Sequence, residues 1–88
     1  MGVFRVNNVS STQIGMPLSM ASVGSRVRIM KIVAGRELNQ RLAEMGMVTG
    51  AEVEVLDGRM MGPLVVKLGG SRLVLGQGMA MKILVSEI

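Results

Sequence analysis

Apolar residues follow a helical period in one stretch of the chain. Leu38, Leu42 and Met45 are spaced at i, i+4 and i+7, so they share one face of a helix. Gly46 follows where a helix end needs a residue of positive φ, and Met47 is placed to pack back on the last turn. The pattern predicts a short amphipathic helix that ends at Gly46.

Other segments alternate with the period of two that is typical of half-buried strands. The first covers residues 26–33, and its phase shifts near Met30 and Ile32, as at a β-bulge. After the helix, Thr49 and Gly50 turn the chain into a second strand. This and three later strands are predicted over residues 51–56, 64–68, 72–75 and 81–85.

Glycines mark the turns between the later strands. Gly69 and Gly70 are predicted to form a two-residue hairpin loop of the primed type. Gly76 and Gly78 are predicted to turn the chain sharply, with no further helix after residue 50. Residues 86–88 are predicted to be a frayed end.

Five short strands with tight turns in a chain of 88 residues favour a small barrel, because closure removes exposed strand edges. The predicted fold is mainly β, a five-stranded barrel with one short helix between the first and second strands. Residues 1–15 are predicted to be a flexible N-terminal tail, in which Val3 to Val6 could add an edge strand. The domain is predicted over residues 16–88, with a rigid start at Met16 and Pro17.

Composition excludes several function classes. Cysteine and histidine are absent, which removes disulfides, thiolate nucleophiles and the commonest nitrogen ligand of metals. The hydrophobic fraction is 49%, yet no apolar run approaches the roughly 20 residues of a membrane span. The first 15 residues lack the pattern of an export signal, so a cytoplasmic location is expected.

The net charge of +4 would suit an acidic partner, a nucleic acid or an anionic membrane. The ten basic residues are scattered among apolar ones, however, and a solvated surface explains this scatter better. Stacking aromatic residues are also missing, because Phe4 is the single aromatic residue. Nucleic acid is therefore not an expected partner, and a proline-rich peptide is excluded for the same reason.

No catalytic residue, metal ligand or cofactor site is predicted. The glycines do not form a phosphate-binding motif, and Glu52 with Glu54 is more simply the solvated face of a strand. The ten methionines are expected to fill core gaps and to supply adaptable contact surface. Met60 and Met61 lie between Gly58 and Gly62. Either a partner or the end of the barrel itself could cover them.

The order and spacing of glycines and aliphatic residues resemble the FeoA family over residues 16 to 85. The matching positions are Pro17-Leu18, Gly24, Arg41-Leu42, Met45-Gly46-Met47, Gly50, Val53, Val55, Gly62-Pro63, Val74-Leu75 and residues 80–85. Thr49 departs from the pattern, since the family usually has proline there. The resemblance implies an SH3-like barrel that acts with FeoB, a membrane transporter bearing a cytosolic GTPase domain.

The favoured hypothesis is a small cytosolic adaptor or regulator of a ferrous-iron transporter, without enzymatic activity. Arg36 and Arg41 would supply charge to the partner contact, and Met60 and Met61 would supply apolar area. Structural roles fall to Leu38, Leu42, Met45, Gly46 and Gly50. The alternative is an SH3-like accessory domain associated with an iron-dependent transcriptional repressor or with nucleic acid. Weak homo-oligomerisation stays open.

Overall fold

The computed structural model describes residues 15–58 and 62–88. This part of the chain forms six strands, a 3₁₀ helix and two α-helices. In chain order they are β1 (Met16–Pro17), the 3₁₀ helix (Leu18–Met20), β2 (Arg26–Ile32), α1 (Arg36–Glu44), β3 (Glu52–Asp57), β4 (Leu64–Leu68), β5 (Ser71–Leu75), α2 (Gln77–Ala80) and β6 (Ile83–Glu87).

The strands form one antiparallel sheet in the order β1-β6-β2-β3-β4-β5. The last strand of the chain thus lies between the first two. The register of β2 against β6 shifts between Ile29 and Lys31, so Met30 is an extra residue at a β-bulge. The sequence predicted this irregularity from its phase shift near Met30.

Alternation along the strands sends every second side chain into one core. Strand residues of the core are Val27, Ile29, Val53, Val55, Leu64, Val66, Leu75, Ile83 and Val85, and each is at most 2% exposed. Leu42 of α1 and Met47 after it pack into the same cluster, as does Leu18 of the 3₁₀ helix. The helix therefore stays on the sheet through apolar burial.

A Schellman ending stops α1, as the sequence predicts. The Gly46 N–H donates to the Ala43 carbonyl at 2.9 Å, and the Met47 N–H donates to the Leu42 carbonyl at 2.9 Å. Gly46 has a φ of 89°, a conformation that glycine adopts without strain. Leu42 and Met47 are fully buried, while Leu38 and Met45 are half-buried against the core.

The mainly β prediction is confirmed, but the strand count was wrong. Met16 and Pro17, predicted as a rigid start, pair with Val85 and Leu84 as a sixth strand. The predicted barrel is also not closed within residues 15–58 and 62–88, because β1 and β5 are the two edge strands of an open sheet. The 3₁₀ helix, which follows β1, contacts α2, which follows β5.

Two predictions about the C-terminal part were also wrong. The sharp turn at Gly76 to Gly78 is instead the start of α2, in which the Ala80 N–H donates to the Gly76 carbonyl at 3.0 Å. Residues 86–88 are not frayed, since Ser86 and Glu87 pair with β2 and the Ile88 N–H donates to the Arg26 carbonyl at 3.0 Å. β2 has seven residues, so it is long enough to pair with the chain as far as its end.

The Gly69-Gly70 loop has the predicted primed geometry. Leu68 pairs with Ser71, so the loop has two residues, and Gly69 has a φ of 61°. Other predictions fall on residues outside the described ranges. These are the tail with its edge strand, and Met60 with Met61.

Candidate functional site

A groove runs between α1 and the bulged part of β2. It encloses about 390 Å³ and is lined by Met30, Lys31, Ile32, Asn39, Ala43, Met47, Val48 and Thr49. The strand forms one wall, Asn39 and Ala43 of the helix form the other, and the fully buried Met47 lies between them. Its lining has an apolar majority and one charged side chain, Lys31.

The bulge explains why a large apolar side chain lies in this groove. An extra residue in one strand re-aims its side chain relative to the regular ladder, and Met30 is that residue. Met30 is 38% exposed and Val48 is 44% exposed. Two exposed apolar side chains that line one concavity make the groove a candidate binding surface.

Gly50 holds Val48 against β2. The Ala51 N–H donates to the Val48 carbonyl at 3.0 Å, and Gly50 has a φ of 94°, as the third residue of a type II turn requires. The Gly50 N–H donates to the Ile29 carbonyl at 2.8 Å, and the Ile29 N–H donates to the Ala51 carbonyl at 2.9 Å. These bonds fix the turn beside the bulge.

Asn39 positions the helical wall. Its side-chain amide donates to the Ala34 carbonyl at 2.7 Å, which ties the first turns of α1 to the loop that follows β2. No side chain caps the helix at Gly35. The Asn39 contact therefore fixes the start of α1 to this loop by donating to a carbonyl, whereas an N-cap side chain would accept a bond from a backbone N–H.

The structure separates the two predicted contact arginines. Arg36 precedes Asn39 by three residues and Ala43 by seven, so it lies on the groove side of α1. Arg41 is five residues from Arg36, about 140° around the helix axis, and faces away from the groove. Both side chains are exposed. Met60 and Met61 lie outside the described residues.

Sequence reasoning missed Met30, Lys31 and Val48 as groove residues. The signal that could have found Met30 is the phase shift in the first strand, because a bulge often re-aims a side chain at a binding site. Val48 carried no such signal. Its place follows from the bonds that the Gly50 turn makes with β2.

Glu52, on the outer face of the sheet, forms ion pairs with two arginines. Arg28 donates to one of its oxygens at 2.9 Å, and Arg26 lies 3.4 Å from the other. The Arg28 hydrogen bond, and then the charges of both arginines, lower the pKa of Glu52. A carboxyl group with a lowered pKa is a poor proton donor at neutral pH, so this face gives no support to acid catalysis.

Residues 15–58 and 62–88 hold no group of three or more acidic, histidine or cysteine side chains that could bind a metal. No helix in them has the length and apolar character needed to cross a membrane.

Comparison of the chain with known proteins identifies relatives along nearly its whole length. The model of the FeoA domain matches residues 16–87. A Methanocaldococcus jannaschii protein, provisionally named Fe(2+) transport protein A, is 38% identical over 71 residues, which are 81% of this chain and 85% of the relative.

Two solved structures have the same fold. The crystal structure of an iron uptake regulatory protein, FeoA, is 33% identical with a TM-score of 0.79, over 83% of this chain and 97% of that one. The zinc-complexed FeoA of Stenotrophomonas maltophilia is described as a procaryotic SH3 domain protein. It is 27% identical with a TM-score of 0.72, over 82% of this chain and 91% of that one.

Proposed function

The chain belongs to the FeoA family of ferrous-iron transport proteins, and from this we propose that it is a cytosolic adaptor that binds the GTPase-bearing region of a FeoB-type transporter. It would act through its surface, without catalysis and without a cofactor. The observation that carries this proposal is the groove between α1 and β2, which the exposed side chains of Met30 and Val48 both line.

The groove suits an apolar side chain of a partner protein. Met30 can adapt its shape to the incoming group because methionine is unbranched, and the Gly50 turn holds Val48 in place. Lys31 in the groove and Arg36 beside it would pair with acidic residues flanking that side chain. An apolar anchor with a charged rim is the usual anatomy of a protein interface.

The other predicted contacts belong to the same proposal. Arg41 would contact the partner only if the partner also reached the far side of α1. Met60 and Met61 would add apolar area, and Gly62, the next described residue, accepts a hydrogen bond at its carbonyl from the Gln77 side chain at 2.8 Å.

Affinity purification with a tagged protein from detergent-solubilised cells tests the proposal. We expect recovery of a large membrane GTPase with the wild-type chain. Met30→Glu and Val48→Glu should each lower the affinity about tenfold or more, because a charge would replace an apolar contact at the centre of the interface. Met81→Glu is the matched control, since Met81 is 61% exposed and lies outside the groove.

Melting temperatures of the three variants verify that each is folded. Equal binding by Met30→Glu and wild type would remove the groove from the interface. Recovery of an iron-dependent repressor or of nucleic acid, with no membrane GTPase, would replace the transporter proposal by the alternative. A chain that elutes as a dimer when purified alone would show self-association.

A further inference from the structure

Two cations stand directly opposite each other in the β4–β5 hairpin. Lys67 pairs with Arg72 in the strand register, and both side chains are exposed. Side chains at such positions have Cβ atoms about 5 Å apart, and like charges there destabilise the pair of strands. Lys67 has Glu54 as its other neighbour across the sheet, and Glu54 also faces Arg26.

In the described part of the chain, Arg72 forms no ion pair that would offset its repulsion from Lys67. The ion pairs there join Glu52 to Arg26 and Arg28, and neither involves the hairpin. Arg72 lies on the last strand of the sheet, so no further strand there carries a carboxylate beside it. The hairpin thus keeps an unfavourable charge arrangement that an incoming anion would correct.

The outer edge of β5 also has unused backbone groups at this position. A two-residue hairpin closed by Leu68 and Ser71 places the hydrogen-bonded pairs at every second residue, so Ser71, Leu73 and Leu75 bond to β4. The N–H and C=O groups of Arg72 and Val74 therefore point away from β4. Within residues 15–58 and 62–88, no strand pairs with that edge.

An exposed apolar residue lies next to the cations on the same face. Val74 is 67% exposed and stands opposite the half-buried Val65. Along the edge, the outward residues of β5 are thus one cation and one large apolar side chain. An extended segment with an acidic residue and an apolar residue two positions apart matches both.

We propose that the edge of β5 binds an extended acidic segment of another protein, which adds a strand to the sheet. Its backbone would pair with the free groups of Arg72 and Val74, as in other cases of strand addition. An acidic side chain opposite Arg72 on the added strand would pair with its guanidinium, which suits a carboxylate, and would offset the repulsion from Lys67. This surface lies outside the groove and goes beyond the proposed function.

Charge argues against a segment of this same chain as the strand that pairs with β5. The 14 residues before Gly15 contain no aspartate or glutamate. A second copy that paired β5 with β5 would bring another Arg72 and no carboxylate, since the strand sequence is Ser-Arg-Leu-Val-Leu. An anionic membrane surface would attract Lys67 and Arg72 but would leave the backbone groups of the edge without partners.

NMR titration of the ¹⁵N-labelled full chain tests the proposal. The probe is a blocked seven-residue peptide in which glutamate and valine take turns at every second position with threonine between them, and its control has glutamine in place of glutamate. We expect the amide signals of Arg72 and Val74 to shift on titration with the glutamate peptide, and their hydrogen exchange to slow. Lys67→Gln with Arg72→Gln should weaken binding about two- to fivefold.

A charge-matched double variant, Arg41→Gln with Lys82→Gln, should bind the peptide as wild type does. Both double variants are expected to fold, because one removes a repulsion and the other alters exposed residues. Equal binding of the two peptides would overturn the role of charge. Shifts confined to other strands, binding of phosphatidylserine vesicles in place of the peptide, or shifts of β5 on self-association alone would each overturn the proposal.

Discussion

Gly46 packs against Leu68 so closely that a Cβ atom added to Gly46 would lie 3.0 Å from Leu68 Cδ2. The end of α1 thus lies on the end of β4, and a side chain at Gly46 would push against the terminal methyl group of Leu68. Gly46 also has a φ of 89°, so two separate costs oppose its substitution. A position that needs both positive φ and close approach is specific for glycine.

We expect Gly46→Val to destabilise the domain by about 1 to 3 kcal/mol from the backbone strain of a β-branched residue at positive φ. That corresponds to a fall in melting temperature of about 5 to 20 °C. Thermal unfolding followed by circular dichroism measures it. An unchanged melting curve would show that Gly46 does not end the helix in this way.

Gly24→Val is the matched comparison. Gly24 has a φ of 91°, but no atom lies within 4 Å of its added Cβ. Gly24→Val should therefore show the backbone strain without a close contact. If it lowers the melting temperature less than Gly46→Val does, the difference measures the contribution of the Leu68 contact. Gly78→Ala, at a residue of α2 without positive φ, should change the melting temperature little.

Stability should depend on the charge of Glu52 at acid pH. Its pKa is lowered from the ordinary 4.5 by the Arg28 hydrogen bond and the two arginine charges. Because the folded-state pKa lies below the unfolded one, the stabilisation is present above pH 4.5 and is lost as the pH falls through the folded value.

NMR titration of the Glu52 carboxyl carbon should thus give a midpoint below 4.5 in the wild type. In Arg28→Gln the midpoint should rise toward 4.5, because the strongest cause of the shift is gone. High salt should also reduce the shift, since the group is exposed. A midpoint that stays the same in Arg28→Gln would contradict this assignment.

Replacement of Met60 and Met61 together by Ser tests the part of the proposed interface that lies outside the described residues. Two methionines contribute mainly by burying apolar area, at about 25 cal/mol per Å² removed from water. If a partner covers them, affinity for the transporter falls and the melting temperature hardly moves. A large loss of stability with normal binding by the remaining folded protein would remove Met60 and Met61 from the interface.

Local patterns predicted much of the fold because each is decided by neighbours in sequence. The spacing of Leu38, Leu42 and Met45 and the glycine after them sufficed for α1, and the phase shift at Met30 revealed the bulge. The pairing of Met16 with Val85 could not be predicted in this way, because two residues without alternation carry no strand period. The candidate groove was equally hidden, since its walls come from α1, β2 and the Gly50 turn.

Arg72→Glu should stabilise the free protein, because it turns the repulsion from Lys67 into an attraction across the hairpin. Cross-strand charge pairs contribute roughly 0.2 to 1 kcal/mol, which for a domain of this size corresponds to a rise in melting temperature of about 1 to 8 °C. The gain should shrink in 1 M salt, where exposed charges are screened. Arg41→Glu, at an exposed helix position, is the control with the same change of net charge, and it should give no comparable gain. If Arg72→Glu lowered the melting temperature at low salt, Lys67 and Arg72 would not be a strained pair, and the main support for an acidic partner at β5 would be lost.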